Sequence, residues 1–137
     1  MTKVTVDLAA IPGRRGVAQL TVTDDAPEGF KDLRGHVHPL CVEQEEGRPD
    51  AARTLHLGEK LVLALCEWAQ VVSATGGVRF DRDGRHRLRR TTEQGTVFTA
   101  LRRFDQADLA ATEQVVRTLL PPPGIETAFN GQPLPPP

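Results

Sequence analysis

Residues Leu20 to Phe30, LTVTDDAPEGF, constrain this chain more than any other stretch. An alternating apolar segment runs directly into an acid–acid–glycine turn, and alternation of that kind marks a half-buried β-strand. Leu20, Val22 and Asp24 share one parity. A strand that turns Leu20 and Val22 toward a core therefore brings the Asp24 carboxylate to the inner mouth of the same face. A carboxylate in that position needs hydrogen-bond partners, and loops that open after strand ends are common ligand sites. The plain structural reading of Asp24 is a turn acid capping the end of its strand.

The same alternation appears in Val4, Val6 and Leu8, so a first strand and a second over Val17 to Asp24 are predicted to pair as a hairpin through Ile11–Gly16. From Ala26 to Thr54 the pattern dissolves into Pro, Gly, His and acidic residues. About 30 residues without periodicity exceed an ordinary loop, and a mobile lid, over about 31–56, is the expectation. Leu57, Leu61, Ala64, Leu65 and Trp68 then recur at helical spacing and predict a helix. Gln70–Thr75 and Val78–Asp81 read as strands separated by a Gly76-Gly77 turn, and Asp83-Gly84 closes a further hairpin running through Arg85 to Thr91. Thr96–Arg103 is a strand rich in β-branched and aromatic residues. Asp105 caps a second helix whose apolar positions are Leu109, Thr112, Val116 and Leu119, stopped by Pro121-Pro-Pro-Gly124. Ile125–Phe129 completes the pattern as a short strand, and Pro133–Pro137 reads as an extended tail.

Strands outnumber helices and hairpins outnumber crossovers. The predicted class is α+β: a two-layer sandwich of a mixed, mostly antiparallel sheet with helices on one face. Its 137 residues suit one domain, set at 1–130 with a Pro-rich tail over 131–137. The net charge of −1 argues against an electrostatic nucleic-acid binder. Cys41 and Cys66 lack metal or redox spacing, which fits a reduced, cytoplasmic protein. No apolar run approaches the roughly 20 residues of a membrane span, and MTKVTVDL lacks the apolar block of a signal peptide.

Three segments, in order, resemble the GHKL superfamily of ATPases, the gyrase, heat-shock chaperone, histidine-kinase and mismatch-repair type with the Bergerat nucleotide-binding fold. VTDDAPEGF (Val22 to Phe30) is similar to the acid–glycine box that follows a strand in that family. LGEKLVLAL (Leu57 to Leu65) is similar to the glycine box that opens the helix behind the lid, and GTVF (Gly95 to Phe98) to the strand beside the base. The resemblance covers Lys3 to Arg103 and implies an incomplete Bergerat-type sheet that binds ATP or ADP weakly. It implies that Asp24 accepts a hydrogen bond from the adenine amino group with Thr96 in support, and that Gly29 lets the backbone pass close to base and sugar. Leu57, Gly58, Glu59 and Lys60 would form the phosphate end, with free N–H groups at a helix start and a lysine charge.

The departures carry their own expectations. The family's general-base Glu and magnesium-holding Asn stand on a helix before the first strand, whereas here Met1 opens almost directly onto that strand. Magnesium is then expected only if a ligand comes from outside this chain, and hydrolysis by the chain alone is not expected. Ala26 replaces the middle glycine of the first box, and Arg53, Thr54, Leu55 and His56 stand where a lid glycine belongs. A sheet lacking a covering helix is also expected to expose apolar area, which favours a homodimer or a partner chain.

Other readings compete. The fold could serve as an interaction module or a vestigial ATPase fragment. Arg79, Arg82, Arg85, Arg87, Arg89 and Arg90 crowd one hairpin and could contact nucleic-acid phosphates, although without interleaved aromatics alternating charge on a solvated hairpin is the simpler account. His36, His38 and Cys41, with His56 more distant, are a candidate zinc trio whose spacing fits no usual site.

Overall fold

A computed structural model describes residues 2–26, 62–74 and 76–135. Their strands are β1 (Lys3–Ala10), β2 (Val17–Asp24), β3 (Cys66–Ser73), β4 (Gly76–Asp81), β5 (Gly84–Leu88), β6 (Thr96–Arg103), β7 (Glu126–Phe129) and β8 (Gln132–Pro133). They form one eight-stranded sheet in the order β5-β4-β3-β6-β2-β1-β7-β8. All neighbouring pairs are antiparallel except β1 and β7, which run parallel. The fold is α+β, as the pattern of elements predicts.

The register decides which residues share a face, because residues directly opposite one another point the same way. Leu8 pairs with Leu20, Leu20 with Ala100, Ala100 with Ala69, and Ala69 with Phe80. This row feeds two clusters. One gathers Leu8, Ala18, Phe129 and Leu134, and Leu109 and Val116 of helix α1 (Gln106–Thr118) pack against it. The other gathers Ala69, Phe80 and Ala100, with Val62 and Leu63 of the helical residues 62–65 against it. Burying these side chains supplies the main driving force for the sheet.

β2 and β6 span the residues expected of them, and Asp105 caps α1 through a reciprocal capping box with Asp108. Three elements differ. The helix expected through Trp68 gives way to β3 at Cys66. β3 is paired on both edges, by β4 and β6, and fully buries Ala69 and Val71, which outweighs the helical spacing of its residues. Gly76 and Gly77 belong to β4 and not to a turn; a Cβ on Gly77 would lie 3.0 Å from the Leu88 Cβ, so the glycine lets β5 close against β4. The expected tail is tied in at its start, since β8 pairs with β7 and Leu134 joins the core.

Candidate functional site

At one end of the sheet the apolar rows give way to polar ones. Asp24 lies directly opposite Thr96, and Thr96 directly opposite Ser73. All three carry the parity of Leu20, Ala100 and Ala69, and so stand on the face that holds both apolar clusters. Thr96 and Ser73 are buried and Asp24 is half-buried. Asp24 and Thr96, 72 positions apart in the chain, are thus brought side by side as neighbours on one face.

The local geometry shows how the row is held. The Asp24 Oδ1 accepts a hydrogen bond from the Ala26 N–H at 2.9 Å, so the acid caps its own turn. The neighbouring Asp25 turns its carboxylate toward the start of β1, where Oδ1 accepts from the backbone N–H groups of Thr2 (2.8 Å) and Lys3 (2.9 Å) and Oδ2 accepts from the Thr2 hydroxyl (2.5 Å). These donors favour the ionised form, chiefly through the Thr2 hydroxyl, and hold the Asp25 carboxyl well below the usual carboxylate range. From the other side, Gln94 Nε2 donates to the Asp25 carbonyl at 2.6 Å. Thr92 donates its N–H to the Ser73 carbonyl (3.1 Å) and its hydroxyl to the Gly95 carbonyl (2.8 Å). Gly95 has φ +75° and sits against β2 so closely that a Cβ would lie 1.9 Å from the Asp24 carbonyl oxygen. Only glycine fits there.

Ser73, Asp25, Thr92 and Gln94 escape a reading of the sequence, since their roles depend on register and on contacts between distant segments. Gly29, Leu57, Gly58, Glu59 and Lys60, the span about 31–56, and the trio His36, His38 and Cys41 with His56 lie outside the described residues. Among the described residues no group of His, Cys, Asp and Glu could hold a metal ion.

The arginines do not form one stripe. Strand alternation puts Arg85 and Arg87 on one face of the hairpin and Arg79 on the other. Arg85 is buried, and Arg79 stacks 4.4 Å from the Trp68 ring centroid. Asp81 lies 3.8 Å from Arg79 and 3.0 Å from His86 Nε2, and the His86 contact is the main cause of its lowered pKa. Arg82, Arg87, Arg89 and Arg90 are exposed.

Elsewhere, a shallow hollow of about 330 Å³ lies between Pro121, Pro122, Ile125, Thr127 and Leu134. It is lined mainly by apolar groups, and Thr127 Oγ1 is buried without a partner among the described residues. No helix among the described residues is long and apolar enough to cross a membrane. No protein-family model matches the chain, and no curated protein matches it.

Proposed function

We propose that this chain is an adenine-nucleotide-binding domain of the GHKL type, which holds ATP or ADP weakly. One observation carries the reading: Asp24 stands directly opposite Thr96 on the face that bears the apolar clusters. A carboxylate acceptor beside a hydroxyl, set in a sheet against packed helical residues, matches what an exocyclic amine and a neighbouring ring nitrogen of a purine require. On this reading the architecture is a two-layer sandwich with helices on one face, since α1 and residues 62–65 both pack on the parity that carries Asp24. The resemblance assigns the base and sugar to Gly29 and the phosphate end to Leu57, Gly58, Glu59 and Lys60, all of which lie outside the described residues.

Calorimetry with ADP and ATP, with and without magnesium, tests the reading. The expected result is adenine-nucleotide binding with little magnesium dependence, weakened about tenfold or more in Asp24→Asn, which loses a charge-assisted bond. An absence of heat at millimolar nucleotide sinks it.

A second reading, an interaction module, is favoured by the exposed side chains of Val115 (60%), Leu119 (55%) and Leu120 (72%) around the end of α1. Adjacent exposed apolar groups of this size suit a homodimer or partner contact. Sedimentation equilibrium distinguishes it: Leu119→Lys with Leu120→Lys should shift any self-association toward monomer and leave nucleotide binding unchanged.

A further inference from the structure

Asp24 is the residue expected to meet a ligand, yet most of the hydrogen bonds around it belong to Asp25. The Asp25 carboxylate ties the end of β2 to Thr2 and Lys3 at the start of β1. The Asp25 carbonyl ties the same point to Gln94, in the segment that leads into β6. Gly95 then presses on the Asp24 carbonyl, and the Asp24 side chain closes on the Ala26 N–H. The residue after the last one of a strand ordinarily frays. Here it is anchored on both sides of β2, through its side chain to the start of β1 and through its main chain to the segment before β6.

We propose that Asp25 is a positioning residue, a double anchor that holds the turn after β2 in the conformation in which the Asp24 carboxylate is set beside Thr96. The identity of the ligand rests on the nucleotide reading above; the anchor does not. Its physical role is preorganisation. A ligand that binds only one conformation of the turn is weakened by the fraction of time the turn spends elsewhere. The Asp25 carboxylate takes two backbone N–H groups and one hydroxyl, and bonds to a charged acceptor are stronger than neutral ones. Gln94 adds a neutral bond from the opposite side. Releasing the stronger anchor should free the turn more than releasing the weaker one.

The variants Asp25→Ala, Asp25→Asn and Gln94→Ala test this with three readouts: ADP affinity, amide exchange of Ala26, and the midpoint of thermal unfolding. Asp25→Ala is expected to raise the ADP Kd about tenfold, as it would if the competent fraction fell to about one tenth. It should also speed Ala26 exchange several-fold, because the Ala26 N–H reports the Asp24 side chain directly. Asp25→Asn should recover part of both, since its amide oxygen can still accept from the Thr2 and Lys3 N–H groups. Gln94→Ala should give the same effects, smaller, with little change in the unfolding midpoint; it removes a single exposed bond and keeps the test open should Asp25→Ala fold poorly. Wild-type Ala26 exchange in both Asp25→Ala and Gln94→Ala overturns the anchor, as does an Ala26 amide that speeds up only in proportion to the loss of global stability. If the unaltered protein binds no ADP, the nucleotide reading falls and the Ala26 exchange alone decides the anchor.

Discussion

Gly95 shows how much a single position can fix. Its φ of +75° already disfavours any side chain, and a Cβ would collide with the Asp24 carbonyl, a backbone atom held in the β2–β6 ladder. Gly95→Ala is expected to cost about 3 kcal/mol or more, because strain and a rigid clash add. Gly131→Ala is the control: φ is +79° there too, but open space surrounds the site, and only the backbone cost of about 1 kcal/mol remains. Urea unfolding of the two variants should separate them clearly. Asp25 supplies a pH test. A carboxyl whose folded pKa is depressed adds stability above its unfolded value, about 3.9, and loses it progressively as pH falls from there through the lower folded value, above which the folded carboxylate itself stays ionised. Because the Asp25 pKa is strongly lowered, the Thr2 and Lys3 amides should keep their exchange protection at pH 3, where ordinary aspartates are largely protonated. Of this cluster, the sequence makes Asp24 and Thr96 legible through strand parity and the motifs around them. Asp25 and Gln94 are not legible, since the bond between them joins segments 69 residues apart that no local pattern connects.

Whole elements differ in how plainly their residues announce them. Helix α1 is plain: Asp105 accepts from the Asp108 N–H at 2.8 Å and Asp108 accepts in return from the Asp105 N–H at 3.1 Å. Asp105→Ala should destabilise the protein by about 1 kcal/mol, read as a lower urea midpoint with unchanged slope. The stretch through Trp68 is not plain. Leu61, Ala64, Leu65 and Trp68 fit a helix, while Ala69, Val71 and Ser73 alternate as a strand, and the change of period falls within a few residues. The sheet settles it, because Cys66–Ser73 can pair on both edges and Trp68 then stacks on Arg79. The β7–β8 hairpin carries a strong signal in Asn130-Gly131, whose φ values of 48° and 79° suit a two-residue turn of the type that strand twist favours. The prolines beside it make the same stretch resemble a tail. Asn130 has a further task, accepting from the Leu8 N–H at 2.8 Å and donating to the Leu8 carbonyl at 3.1 Å. Asn130→Gly keeps the turn conformation and removes both bonds, so a loss of about 1–2 kcal/mol in urea unfolding is expected, including the added freedom of glycine in the unfolded chain.

Across the whole molecule, the two apolar clusters could in principle make two folding units, and the register argues that they make one. Leu20 packs against the first cluster and Ala100 belongs to the second, yet the two are direct cross-strand neighbours in β2 and β6. The C-terminal elements are joined to the rest just as tightly. β7 runs beside β1, the Glu126 N–H donates to the Thr2 carbonyl at 2.8 Å, and Arg117 donates to the Phe129 carbonyl at 3.0 Å while lying over the Phe129 ring. Thr2 is therefore shared between β7 and the Asp25 anchor, which links the C-terminal hairpin to the candidate site. Phe129 is the largest side chain fully buried in its cluster, and Phe129→Ala should cost about 3–5 kcal/mol through lost burial and the cavity left behind. The single tryptophan, Trp68, sits on β3 in the other half of the sheet and reports that half by fluorescence. If the molecule is one cooperative unit, urea curves of Phe129→Ala followed by Trp68 fluorescence and by far-ultraviolet circular dichroism should shift together to the same lower midpoint. A dichroism transition that precedes the Trp68 transition would mean that the Phe129 half unfolds by itself, and that the Leu20–Ala100 contact does not couple the two clusters.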